Sequence, residues 1–159
     1  DLSRILVSQE TGSYVIRLEG DVRVVLSTTL NDYINTIFKS KDISKIIIDM
    51  IETKGVDSTT LGLLAKLAIH SNTTFNIRPV VFCPDESLHE TLLVMGLDDV
   101  FEIINKRKSE VENLIELKSK PPHDEAIKQH VLEAHKLLSS INKKNKDEFL
   151  DLIAALKRE

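Results

Sequence analysis

Lys45-Ile46-Ile47-Ile48-Asp49-Met50-Ile51, followed shortly by Val56-Asp57-Ser58-Thr59-Thr60-Leu61-Gly62-Leu63-Leu64, is the stretch on which the fold of this chain turns. The first segment is short, almost uniformly apolar and rich in isoleucine, which predicts a central strand, Ile46 to Met50, covered on both sides. The second opens an amphipathic segment that runs to His70, so the chain passes here from strand to helix. Asp57 and Ser58 stand at the join. Either side chain can cap the first helical turn, whose leading N–H groups lack intrahelical partners and attract an anion. A serine hydroxyl displayed on such a turn is suited to be a cap, a nucleophile or a phosphoacceptor.

Working outward, the helix after the join places Leu61, Leu64, Ala65 and Ala68 on one side, with Leu63 and Leu67 widening the stripe. Upstream, Ile5–Val7 and Tyr14–Leu18 read as a hairpin ended by Gly20-Asp21. From Val24 to Phe38, Val25, Leu26, Leu30, Ile34, Ile37 and Phe38 recur at helical spacing. Downstream, Phe75–Phe82 is expected to be a strand with an irregularity at Pro79, which cannot donate to a ladder. Pro84-Asp85-Glu86 opens a helix carrying Leu88, Leu92, Leu93 and Met95, Gly96 stops it, and Val100–Ile104 makes a last strand. The order β-β-α-β-α-β-α-β through residue 104 predicts one α/β domain, residues 1–104, with a mostly parallel central sheet.

Residues 105–159 lose the strand pattern and read as an α-helical C-terminal extension. Val111, Leu114 and Leu117 suggest a short helix, and Pro121-Pro122 interrupts it. Ile127, Val131, Ala134, Leu138 and Ile141 then form one apolar stripe, and Phe149, Leu150, Ile153, Ala154 and Leu156 another, with Asn142–Asp147 as the turn of a helical hairpin. Such stripes have to pack on each other, on the domain, or on a second copy in a homodimer.

Composition narrows the function. The 159 residues are 42% hydrophobic and 29% charged, enough for one domain with a real core and an appendage. Lys and Arg number 9 against 15 Asp and Glu through Ile104, and 12 against 10 from Asn105 onward. An acidic front argues against nucleic acid as a partner, since phosphate binding needs clustered cations. Apolar runs of a few residues fall far short of the roughly 20 that cross a bilayer, and no basic-then-apolar leader pattern opens the chain, so no membrane partner is expected. The single Cys83, in an apolar strand, reads as a buried structural thiol of a cytoplasmic protein. Gly-x-Ser-x-Gly is absent, and none of the five histidines stands out as a base, so no catalytic residues are assigned and no enzyme is expected. His130 and His135 are spaced unlike a helical metal pair, and no His-Glu-x-x-His occurs. No metal site or cofactor is therefore expected, and all the histidines are expected at the surface or at edges.

The residues also carry a resemblance. Asp57-Ser58-Thr59-Thr60-Leu61-Gly62, set in this element order, resembles the signature of STAS domains, the family of bacterial anti-sigma factor antagonists, in which the pattern is Asp-Ser-Ser/Thr-Gly/Ala-Leu-Gly. Leu18-Glu19-Gly20-Asp21-Val22 is similar to the family's strand-ending segment, and Met95-Gly96-Leu97 before Val100–Ile104 to its closing helix and strand. Thr60 departs from the usual small residue, and the tail from Asn105 is not part of the minimal family domain. The resemblance implies a phosphoprotein in signal transduction and transcription regulation that acts by partner switching. Its unphosphorylated form would bind an anti-sigma factor or kinase-like regulator, and phosphorylation of Ser58, with Thr59 as a secondary acceptor, would release it. Asp57, Ser58, Thr59, Thr60, Leu61, Asp21 and Arg23 would form the partner surface, with a serine kinase and a serine phosphatase as further partners. Family members also serve as unphosphorylated scaffold or binding subunits of transport or stress-signalling complexes, and that is the competing expectation.

Overall fold

The structure, a computed structural model, describes residues 2–109 and 111–158. Its first strands, β1 (Arg4–Glu10) and β2 (Ser13–Val22), form the antiparallel hairpin. A 3-10 turn at Val24–Leu26 leads into α1 (Ser27–Phe38), and β3 (Lys45–Asp49) follows. Next come β4 (Thr53–Val56), α2 (Ser58–Thr74), β5 (Val80–Phe82), α3 (Glu86–Val94) and β6 (Glu102–Ile104). The chain ends with β7 (Ile115–Glu116), α4 (Asp124–Ile141) and α5 (Lys143–Arg158). The strands lie in the order β6-β5-β3-β2-β1-β7, with β4 beside β2, and the pairs β2–β3, β2–β4, β3–β5 and β5–β6 are parallel. This is the mostly parallel α/β arrangement followed by C-terminal helices that the sequence predicts.

Alternation along the strands divides the molecule. Ile5, Val7, Tyr14, Ile16, Leu18, Ile46, Ile48 and Val81 turn to one face and share a single core with Leu30, Ile34 and Ile37 of α1, Leu61, Leu64 and Ala68 of α2, and Leu88 and Leu92 of α3. Val15, Ile47 and Phe82 turn to the other face, and no helix among the described residues packs against them. Val111 and Leu114, with Ile51 and Val80, pack there instead. β3 is covered on both sides as expected, by helices on one and by an extended strap on the other.

That strap replaces the expected short helix. Ile115 and Glu116 pair antiparallel with Val7 and Leu6, Leu117 N–H donates to the Ile5 carbonyl at 2.8 Å, and Asn113 has a left-handed φ of 61°. A segment of only seven residues, 111–117, cannot carry the cost of helix nucleation by itself, whereas the open edge of β1 and the bare apolar face offer ladder bonds and burial at once. On the same face, buried Asp49 receives Arg17 Nε at 3.0 Å through Oδ2 and the Ile51 N–H at 3.0 Å through Oδ1.

Other elements and bounds differ from the sequence reading, the last strand among them, which begins at Glu102 rather than Val100. The strand expected over Phe75–Phe82 is confined to Val80–Phe82, because Asn76 adopts a left-handed φ of 55° and Pro79 has no N–H for the ladder. β4, unexpected from four residues that include Gly55, is held on β2 by pairing of Gly20 with Thr53 and Val22 with Val56, and by the Thr53 hydroxyl donating to the Leu18 carbonyl at 2.7 Å. The hairpin turn shrinks from Asn142–Asp147 to Asn142 alone, whose Oδ1 accepts the Asn145 N–H at 2.8 Å and caps α5. Asn145 is itself fully buried and donates to the carbonyls of Met95 and Leu138, tying the hairpin to the end of α3. Leu150, expected in the apolar stripe of α5, is 58% exposed, while Phe149 is buried.

Candidate functional site

β4 is what positions the site. Because Val56 is paired with Val22, Asp57 emerges beside Arg23 and Val24 at the entry to α1. Its extended φ and ψ make it the N-cap of α2, and its carboxylate is fully engaged: Oδ1 accepts the Thr60 N–H at 2.9 Å and Oδ2 accepts the Val24 N–H at 2.7 Å. Asp57 is therefore the cap. Ser58 occupies the first helical position, its hydroxyl left for other contacts.

Thr60 turns inward. It is 1% exposed, and its hydroxyl lies 2.9 Å from Asp57 Oδ1 and 3.1 Å from the Val22 carbonyl, bridging the cap to β2. A methyl-bearing hydroxyl here braces the loop. Thr59 and Leu61 are also buried, and Leu61 belongs to the main core. Asp21 and Arg23, paired with each other at 2.7 Å, stand at the surface nearby. Of the residues expected to form a partner surface, Asp57 and Ser58 are half-buried, Asp21 and Arg23 are accessible, and Thr59, Thr60 and Leu61 lie below the surface.

The residue that sequence reasoning missed is His135. Expected at the surface, it is 4% exposed, and its Nε2 shares a 2.8 Å hydrogen bond with the Ser58 hydroxyl. Its ring stacks on Phe149 with centroids 4.9 Å apart. His130, half-buried, reaches the Ser27 hydroxyl at 3.0 Å. The five-residue spacing that spoils a metal pair lets one helix address two others, His130 the start of α1 and His135 the start of α2. Lys66 adds a salt bridge to Glu133 at 3.1 Å and a hydrogen bond to Asn31. Only the serines at two helix starts and the histidines of α4 hint at these contacts, and neither is a sequence motif.

This serine–histidine pair lacks the third member of a nucleophilic triad. Among the described residues Nδ1 of His135 is buried with no hydrogen-bond partner, and Asp57, the carboxylate that acts on the ring, is committed to N–H groups elsewhere. Among the described residues no group of three His, Cys, Asp or Glu side chains is placed to hold a metal ion, and no helix is long and apolar enough to cross a membrane. Cys83 is buried, and burial pushes its thiol up to about 11, aided by Asp85, as suits a structural cysteine.

Burial lowers the pKa of His135 from 6.5, with Asp57 opposing, and lowers that of His130 from 6.5, with Glu133 and Asp32 opposing and Lys66 reinforcing. Both rings dock neutral. An undocked ring titrates at its ordinary value, so the undocked form binds more protons as pH falls below 6.5. Docking of α4 is thus strongest above that value and weakens as pH drops toward the depressed ones. Between about pH 7 and about pH 5, amide exchange in α4, corrected for intrinsic rates, should accelerate more than exchange in β3, and His135→Gln should remove most of that difference. A constant ratio of the two would show that neither histidine couples to docking.

Comparison with known proteins bears on this geometry. A family model described as the STAS domain matches residues 4–110, which leaves α4 and α5 beyond the match. Among solved structures, the fold is similar to that of the anti-sigma factor antagonist SpoIIAA in its unphosphorylated form, with 14% identity, a TM-score of 0.53, and coverage of 64% of this chain and 88% of that one. A comparison with curated proteins found no match.

Proposed function

This chain belongs to the STAS domain family, and from that premise we propose that it is an anti-sigma factor antagonist working by phosphorylation-controlled partner switching. Unphosphorylated, it binds an anti-sigma factor or a kinase-like regulator through the surface around Ser58, with Asp21 and Arg23 at the rim. Phosphorylation of Ser58 by a serine kinase ends that binding, and a serine phosphatase restores it. The chain itself has no catalytic role, and the setting is the bacterial cytoplasm.

The observation that carries the reading is the position of Ser58 at the first turn of a helix whose cap, Asp57, is already satisfied by backbone N–H groups. A phosphoserine brings about −1.5 to −2 charges, and a helix N-terminus is where such charge is tolerated without refolding. The effect then falls on whatever packs over the hydroxyl, by bulk and by desolvation of the phosphate. Asp57, turned away from the hydroxyl and engaged elsewhere, contributes less repulsion than its place in the sequence suggests.

Ser58→Ala is expected to retain the regulator constitutively. Ser58→Asp should weaken binding by about a hundredfold or more, roughly 3 kcal/mol, with the sheet and its α1–α3 helices remaining folded. Affinity measurements on both variants, with mass spectrometry locating phosphate at Ser58 after incubation with the regulator and ATP, make the test. If Ser58→Asp binds as tightly as the parent and no phosphate appears, the chain is a scaffold subunit of the second kind.

A further inference from the structure

The face of α2 that presents Ser58 is not free. α4 lies across it, with His135 on the hydroxyl, Glu133 on Lys66, and Ala134 against Gly62 so closely that a Cβ built at Gly62 would collide with the Cβ and carbonyl of Ala134. Along the line from Ser58 Oγ to His135 Nε2, 2.8 Å apart, there is no space for a phosphoryl group or for a partner's side chain. Leu138 and Phe149 of the hairpin join the main core, so the contact is more than a surface touch.

The contact is also imperfect. Four buried side-chain polar atoms among the described residues have no hydrogen-bond partner, and two of them, His135 Nδ1 and Asn145 Oδ1, belong to the hairpin. An unmet buried polar atom opposes the closed state, and each regains water when the hairpin lifts. The hairpin thus packs closely on α2 and at the same time keeps buried polar atoms that its opening would hydrate.

Building on the partner-switch reading, we infer that the α4–α5 hairpin is a reversible cover of the switch surface. It competes in cis with the regulator for one face of α2, and the Ser58 hydroxyl becomes reachable only when α4 lifts away. The unmodified chain therefore exists in a closed, silent form and an open, binding form. Regulator binding and phosphorylation both draw on the open one.

The test uses the full chain. In a Ser58→Cys, Cys83→Ala background the only thiol sits beneath α4, and its rate of reaction with 5,5′-dithiobis(2-nitrobenzoate) reads the cover directly. Adding Ala134→Leu, which forces a larger side chain against Gly62, should accelerate that reaction about tenfold or more, as should Glu133→Lys, which sets two like charges together. The charge exchange Lys66→Glu with Glu133→Lys should restore slow reaction, and it does so without altering the packed core. In the Ser58→Ala chain, Ala134→Leu should tighten regulator binding by a similar factor. Equal thiol rates with and without the opening substitutions would overturn the cover, and faster thiol reaction with unchanged regulator affinity would overturn the competition. Failure of the partner-switch reading is seen elsewhere, in a regulator indifferent to Ser58→Asp, and it leaves the thiol result standing.

Discussion

Gly62→Ala should stabilise one part of the molecule and loosen another. Within an exposed helix the change from glycine to alanine is favourable by about 1 kcal/mol, because the unfolded chain loses freedom it would otherwise keep. Here the added methyl meets the Ala134 Cβ and carbonyl, and backbone cannot step aside as the end of a flexible side chain would. Overpacking of that kind costs about 1–3 kcal/mol, and it falls on the contact between α2 and α4 rather than on the sheet. The hairpin should open on the order of ten- to a hundredfold more often, while unfolding of the core changes little or moves toward greater stability. Hydrogen exchange resolves the two: amides of α4 and α5 should lose protection while those of β3 and the middle of α2 keep theirs. A uniform loss across all four elements would mean that the hairpin and the sheet unfold as one cooperative unit, and it would count against a detachable cover.

Arg17→Met should give the largest loss of global stability among the surface-reaching positions of the sheet. Arg17 and Asp49 are register partners on β2 and β3, and the carboxylate of Asp49 has no exposure. Methionine keeps much of the apolar stem but removes the cation, leaving a buried charge whose remaining side-chain hydrogen bond among the described residues is that from the Ile51 N–H. Breaking such a pair from one side costs roughly 3 kcal/mol, and the partly exposed guanidinium puts this instance toward the lower end of the 3–5 range. The reverse substitution, Asp49→Asn, should cost less. It leaves no buried charge, an amide oxygen can still accept the Ile51 N–H, and the freed Arg17 has Glu19 at 4.0 Å and solvent to turn to. Chemical denaturation of both variants decides the matter. If Asp49→Asn proves the more damaging, the carboxylate matters for its hydrogen bonds and the ion pair contributes little.

How much of this was legible in advance follows from what periodicity can and cannot carry. The isoleucine run of β3, the stripe of α1 and the Gly96 stop were readable because each is a local pattern with a local cause, and Gly96 does adopt a left-handed φ of 75°. β4 and β7 were not, since strands of four and two residues contain too little alternation to register and exist only because an edge was waiting for them. Thr60 was expected on the partner surface, and only the register of β2 against β4 reveals that its side chain points into the fold. His135 was beyond reach for a different reason. Its partner lies 77 residues away, and although its place between Val131 and Leu138 puts it on the apolar stripe of α4, the sequence carries no mark of the ring it will stack on or the hydroxyl it will meet. The serine was found through its own turn, while the residue that covers it required the tertiary structure.

The two-residue strand β7 has a further consequence. It clips the strap to β1 independently of the hairpin, and only the stretch 117–123 separates that clip from α4. Once the Lys120 contacts to Thr29 and Asp32 on α1 are also released, this leash, extended at about 3.3–3.6 Å per residue, lets the hairpin stray on the order of 25 Å and no farther. A tethered helix at such range presents itself to α2 at an effective concentration of roughly millimolar, whatever the abundance of the chain in the cell. A free regulator must outbid that local concentration by affinity, so the length of the leash sets the threshold at which the switch responds. Residues inserted near Pro121-Pro122, far from Ser58 in the sequence, would lower that threshold without touching a single contact at the site.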